Sequence, residues 1–235
     1  MHKPMLISVI IPCYNAEEYV AMAIRSVQMQ TFRNWRLIVV DDGSTDGSWA
    51  AIDRALGTDP RCTGIRTDNH GVAAARNLAI DRAGDGLIVP LDADDWLYPD
   101  ALYEFAMAFS HIPGLRLAVP QVHRKGEGID KIVAHTWRGY ESLLKRNFLP
   151  NTCCFRRSDW FRVGGYREGT LYEDWEFWIR LLECAENGQI FNIPKVLVEY
   201  TIHKDSRVHG ALKRHKEEVD IIKQLNPNIY GKRKD

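Results

Sequence analysis

Three short apolar runs in the first 95 residues each end on a polar or acidic stop. This repetition constrains the fold more than any other feature of the chain. Residues 6–11 (LISVII) lead into Pro12-Cys13-Tyr14-Asn15, residues 36–40 (RLIVV) into Asp41-Asp42-Gly43-Ser44, and residues 87–91 (LIVPL) into Asp92-Ala93-Asp94-Asp95. Runs that are β-branched and do not alternate with polar residues belong to strands covered on both faces, as in a parallel sheet. Helical patterns separate them. Tyr19, Val20, Ala23, Ile24 and Val27 recur at helical spacing, as do Trp49, Ile52 and Leu56 after a capping Ser44 or Thr45. A weak strand at 63–66 and a helix from about 72 to 83 complete the series. Alternation of this kind implies right-handed βαβ units and an α/β class.

After about residue 110 the rhythm changes. Residues 117–122 and 132–135 read as short strands around the polar turn 125–128 (KGEG). A helix over 139–146, a strand over 152–155, an aromatic helix over 173–186 and a last strand over 196–202 follow. From Lys204 onward nine Lys and Arg stand against five Asp and Glu. No repeat, low-complexity segment or interdomain linker interrupts the chain.

Composition narrows the function classes. The 235 residues carry 31 Lys and Arg against 31 Asp and Glu, with 45% hydrophobic and 26% charged residues. That is ordinary for a folded domain with an ample core and excludes a disordered tail or a collagen. A zero balance also argues against a general nucleic-acid binder, which needs excess cations. Five cysteines (Cys13, Cys62, Cys153, Cys154, Cys184) without CxxC spacing suggest reduced thiols in a cytoplasmic protein rather than a disulfide framework or zinc ribbon. The apolar start is too short for a signal segment, and no stretch approaches the roughly 18 apolar residues of a membrane span.

In open parallel sheets ligands sit beyond the carboxyl ends of the strands. Carboxylates delivered to one rim repel each other unless something positive lies between them. A divalent cation such as Mg²⁺ or Mn²⁺, held by one or two carboxylates and by substrate phosphates, is the economical answer. The plainer alternative is that Asp42 and Asp95 cap helices. Neither GxGxxG after the first strand nor GxxxxGK[ST] occurs, so a dinucleotide or P-loop cradle is absent. Phosphate must then be met by metal and basic side chains. Arg76, on the small-residue helix of Gly71 to Asn77 (GVAAARN), suits that task, unless it is a plain surface arginine.

These segments resemble glycosyltransferase family 2 in order and spacing. The resemblance rests on residues 8–15 (SVIIPCYN), 39–46 (VVDDGSTD), 71–77 (GVAAARN) and 91–95 (LDADD). Residues 172–178 (YEDWEFW) resemble the family's ED-x-x-x-W block, and residues 200–206 (YTIHKDS) its Y-R-x-H-x-x-S segment, with Thr201 where the family has Arg. It implies a GT-A fold: a Rossmann-like, mostly parallel sheet with helices on both faces, plus a smaller acceptor-side part. Residues 1–206 would be one catalytic domain, with a nucleotide-sugar half to about 110 and an acceptor half from about 111. Residues 207–235 would form a basic C-terminal helix and tail.

The resemblance assigns the nucleotide base to Asp42, with Pro12 and Tyr14 lining the pocket, and a nucleotide contact to Arg76. It makes Asp92-Ala93-Asp94 the DxD motif, with Asp92 on the ribose or metal side, Asp94 the metal ligand, and Asp95 less directly involved. His203 is a second candidate ligand for Mn²⁺ or Mg²⁺, the alternative being a surface histidine. Asp174 is the candidate general base, because a hydroxyl acceptor needs a carboxylate to take its proton. Trp175, Phe177 and Trp178 would dry that site, although core packing is their first use. Glu173 and Asp174 could otherwise be acidic decoration of a helix N-terminus.

The expected activity is an inverting, metal-dependent transfer of a sugar from a nucleotide-diphosphate sugar to a glycan or glycolipid hydroxyl, in polysaccharide or glycolipid biosynthesis. UDP is the expected nucleotide, with GDP and dTDP as alternatives. Lipid-linked acceptors would place the chain on the cytoplasmic face of a membrane, touched through Lys213, Arg214, Lys216 and Lys232-Arg233-Lys234. Two other readings compete: a nucleotidyltransferase, which would show a Gly-rich, Lys-bearing phosphate loop near the N-terminus, and a catalytically silent nucleotide-sugar-binding module.

Overall fold

The computed structural model describes residues 5–183, 185, 188–203 and 214–231. Four parallel strands form one half of the sheet: β1 (Ile7–Cys13), β2 (Trp35–Asp42), β3 (Cys62–Thr67) and β4 (Leu87–Pro90). They lie in the order β3-β2-β1-β4, joined by α1 (Val20–Gln28), α2 (Ser48–Leu56) and α3 (Val72–Arg82). Every residue of β1 is buried. Its side chains divide by period two, Ile7, Val9 and Ile11 entering one core and Ile10 the other. β2 does the same with Leu37 and Val39 against Ile38 and Val40. An unbroken apolar run is therefore what a strand with helices on both faces requires.

The second half of the sheet is mixed. It comprises β5 (Trp96–Leu97), β6 (Leu117–Gly126), β7 (Ile129–Val133), β8 (Cys154–Arg156) and β9 (Ile190–Thr201). The order continues β4-β8-β6-β9-β5, with β7 paired to the second half of β6. β6 and β9 run parallel, with the register broken around Gln121. Pro120 on one strand and Pro194 on the other fall at that break, where a residue without an N–H cannot serve the ladder. The β6–β7 turn is Gly126-Glu127-Gly128, all three with positive φ, so β7 starts at Ile129 rather than at 132.

Helices α4 (Ala101–His111), α5 (Tyr140–Leu143), α6 (Arg157–Arg162), α7 (Glu173–Leu181), α8 (His215–Leu225) and α9 (Pro227–Gly231) complete the chain. α7 carries the aromatic block expected over 173–186 but stops at Leu181. The C-terminal helices are tied to the body. Ile222 and Ile229 enter the α3–α7 core. Buried Glu218 accepts hydrogen bonds from Thr170 Oγ1 (2.9 Å) and the Leu171 amide (2.7 Å), at the entrance to α7. Of the basic C-terminal residues, Arg214 pairs with Glu217 and Lys223 with Asp220. Lys213 and Lys232-Arg233-Lys234 lie outside the described residues. Cys13, Cys153 and Cys154 are buried free thiols and Cys62 is half-buried, while Cys184 lies outside the described residues. Among the described residues no helix is long and apolar enough to cross a membrane.

Candidate functional site

The carboxyl ends of β2 and β3 border an open polar depression lined by Gly43, Ser44, Arg66, Thr67 and Asp68. Asp42, 3% exposed, accepts hydrogen bonds from the amides of His70 (2.9 Å) and Gly71 (2.8 Å). It thereby holds the loop that leads into α3. Two glycines make this possible. Gly71 has φ +89°, and Gly43 has φ +73° with the Asn69 nitrogen only 2.7 Å from where a Cβ would stand. Pro12 is buried at the end of β1, and Tyr14 just beyond it is 51% exposed on the rim. Asn15 joins the β1 and β2 ends: its amide donates to Ser44 Oγ, and its side chain accepts from the Thr45 amide.

Asp92, Asp94 and Asp95 follow β4 and have separate partners. Asp92 Oδ1 accepts from Arg76 Nη2 (2.8 Å) and Asn151 Nδ2 (3.0 Å). Buried Asp95 accepts from the Thr201 amide at 3.0 Å, a backbone contact that the side chain at 201 does not affect. Asp94 Oδ2 lies 2.8 Å from His203 Nε2. The antiparallel β5–β9 pairing, Trp96 opposite Glu199, brings these two together across 109 residues. Tyr19, at the start of α1, stacks on the His203 ring with centroids 5.0 Å apart. Burial and then the charge of Asp92 push the Asp94 carboxyl above its ordinary range, and burial raises Asp95 further. This corner has an excess of negative charge.

Among the described residues no group of three or more His, Cys, Asp and Glu side chains is gathered for a metal. The available set is the pair Asp94 and His203. A hard divalent cation that draws its remaining ligands from a diphosphate and water needs only one or two protein donors. The residues fit a cation shared with substrate and make no closed cage for a structural ion.

Arg76 connects this rim to the first turn of α7. The guanidinium is 2% exposed and reaches Asp92 with Nη2 and Glu173 Oε1 with Nη1 (2.7 Å). Next to Glu173, at the first turn of α7, stands Asp174. Burial, then the Glu173 charge, push its carboxyl up to about 6, while Arg76 opposes the rise. Asn147 Nδ2 donates to Asp174 Oδ2 at 3.1 Å. The neighbouring aromatics are core: Trp175, Phe177 and Trp178 are at most 1% exposed, and Trp175 Nε1 donates to the Leu143 carbonyl. Glu176, also in the acidic block, is spent on Arg180 and Asn226.

Asp92 and Asp174 thus sit at the two ends of one Arg76–Glu173 bridge, and Asp94 and His203 meet beside Asp92. Asn147, Asn151 and Tyr19 join the site without having been singled out from the sequence. An asparagine in a polar loop, or an aromatic at helical spacing, has no signature before the fold positions it.

The sequence pattern described as "Glycosyl transferase family 2" matches residues 8–166. Chondroitin synthase of Pasteurella multocida is 35% identical over 210 residues, covering 88% of this chain and 22% of that protein. TuaG of Bacillus subtilis, named for teichuronic acid biosynthesis, is 31% identical over 236 residues, covering 95% of this chain and 89% of its own. The first relatives are far longer than this chain, which spans 22% of their length. Among solved structures, Staphylococcus aureus TarS 1-349 in complex with UDP-GlcNAc superposes with a TM-score of 0.73 at 18% identity, over 88% of this chain and 61% of that one. The mannosyltransferase PcManGT of Pyrobaculum calidifontis, in complex with GDP-Man and Mn²⁺, gives 0.67 at 21% identity, over 91% and 62%. The fold is the GT-A arrangement expected from the sequence.

Proposed function

This chain belongs to glycosyltransferase family 2, and we propose that it transfers a sugar from a nucleotide-diphosphate sugar to a hydroxyl of a growing glycan, with inversion at the anomeric carbon. The observation that carries this reading is the continuous bridge Asp92–Arg76–Glu173, which ends beside a carboxyl, Asp174, that burial pushes up to about 6. One end of that bridge suits donor binding and the other suits proton removal.

In this reading Asp42, Pro12 and exposed Tyr14 receive the nucleotide base. The β2–β3 depression leaves room for it. Arg76 reaches the nucleotide through Asp92, which it holds in place. Asp94 and His203 hold the divalent cation, which when bound offsets the charge of the leaving diphosphate. Asp174 takes the proton of the acceptor hydroxyl. The acceptor oxygen forms its bond to the anomeric carbon as the bond to the phosphate oxygen breaks. The nucleoside diphosphate leaves with the electron pair, opposite the incoming oxygen.

UDP is the proposed nucleotide, supported by the UDP-GlcNAc complex of TarS; the GDP-Man complex of PcManGT keeps GDP in the test. The relatives named for chondroitin and for teichuronic acid support polysaccharide assembly as the setting. The test is a thermal-shift panel of nucleotide sugars with and without Mn²⁺. A true donor at a hundred times its Kd stabilises by about 2.7 kcal/mol, and that shift should require Mn²⁺. No shift with any nucleotide sugar would overturn the reading.

A further inference from the structure

The segment between α5 and β8 presents two asparagines four residues apart, each aimed at a different carboxylate. Asn151 Nδ2 meets Asp92 and Asn147 Nδ2 meets Asp174. The segment is braced: Leu149 is 4% exposed, and Cys153 Sγ donates to the Pro150 carbonyl. The orientation of the Asn147 amide is chemically determined. Its Oδ1 accepts from the Leu149 amide at 3.0 Å. An amide N–H can only donate, so the Asn147 oxygen must face Leu149 and its NH₂ must face Asp174.

We propose that Asn147 is a positioning residue for the base: it pins Asp174 through Oδ2, leaves Oδ1 for the acceptor hydroxyl, and holds the carboxyl in its ionised form at neutral pH. Among the described residues no side chain donates to Oδ1. A hydrogen bond donated to the charged form of a carboxylate favours that form. The need is evident from the surroundings. Burial, Glu173 and Asp92 press Asp174 towards protonation, and Arg76 and the Trp175 amide oppose them. Tyr166, Tyr172 and Cys153 also face it, and each is itself raised by the Asp174 charge. Without the Asn147 donor, a carboxyl already near 6 would lose part of its ionised fraction at neutral pH.

This inference rests on Asp174 being the base, and the experiment separates the two. The measurement is the pH profile of kcat/KM between pH 5 and 9, with calorimetric donor affinity alongside. Wild type should show an acid limb near pH 6, which Asp174→Asn should abolish. Asn147→Ala should move the limb up by about one pH unit. Its rate should fall about fivefold at pH 6, approach a tenfold loss below that pH, and recover to within a few-fold of wild type at pH 9. Asn147→Asp preserves the shape, replaces the donor by a second carboxylate, and should move the limb at least as far. A merely structural role would lower the rate equally at every pH or leave the limb in place, and either result overturns the proposal for Asn147. A limb that survives in Asp174→Asn would instead overturn the assignment of the base.

Discussion

Replacing Arg76 by Met tests the bridge that joins the two halves of the site. Arg76 is 2% exposed, and its partners differ: the Glu173 side chain is 6% exposed and the Asp92 side chain 31%. Removing the guanidinium therefore takes the Arg76 partner from one buried carboxylate and releases one that water can reach. Breaking a buried pair from one side costs about 3–5 kcal/mol, because the remaining charge keeps its desolvation penalty. For a chain of this size each kcal/mol corresponds to about 2–4 °C, so Tm should fall by roughly 6–20 °C. Adding Glu173→Gln to Arg76→Met removes the buried charge as well and should restore part of the loss, a coupling readable in a double-variant cycle. The pH profile carries an independent signature. Arg76 holds the Asp174 carboxyl down, so its loss should carry the acid limb above the wild-type position near 6. Calorimetric unfolding of the four proteins, with rates at several pH values, would decide. Stability within about 1 kcal/mol of wild type, the range of an exposed ion pair, would refute the account of Arg76 as the internal brace.

Other substitutions probe the donor side. Asp94→Asn should leave the Tm of the ligand-free chain nearly unchanged, since Asp94 is on the rim, but abolish the Mn²⁺-dependent part of the nucleotide-sugar thermal shift; unchanged Mn²⁺ dependence would remove Asp94 from the metal role. Gly43→Ala puts a Cβ 2.7 Å from the Asn69 nitrogen at a φ of +73° and should destabilise by about 1–3 kcal/mol. It should also weaken donor binding, by displacing the loop that Asp42 holds; calorimetry showing wild-type affinity would separate that loop from the base pocket.

What could be read before folding follows a physical divide. The parallel half was legible because β1, β2 and β4 are buried on both faces and can only be continuous apolar runs. Their acidic ends stand out because carboxylates are costly to gather. Helix α4 has an equally clear pattern in Leu102, Phe105, Ala106 and Phe109, but it follows the last acidic stop and adds nothing to the rim. The meeting of Asp94 and His203 was not legible from spacing, because a two-residue strand, β5, creates it. Arg76 appeared as a candidate phosphate ligand on a small-residue helix. Folding turns its guanidinium inward onto Asp92 and Glu173, which no periodicity in the chain reports. Asn147 had no signal at all, since its importance lies in which carboxylate it faces.

Asp174→Asn decides whether Asp174 removes the acceptor proton. Its carboxyl stands near 6, above the ordinary carboxyl value of 3.8. The native state therefore binds the proton more tightly than the unfolded chain, and stability declines as pH rises from about 4 to about 6. Asn avoids that ionisation, so the variant should melt no lower than wild type at pH 8. Donor affinity by calorimetry should be unchanged. Transfer to a working acceptor should fall by about 10²–10⁴-fold. Full activity in Asp174→Asn, or a loss of donor affinity as large as the loss of rate, would contradict the account.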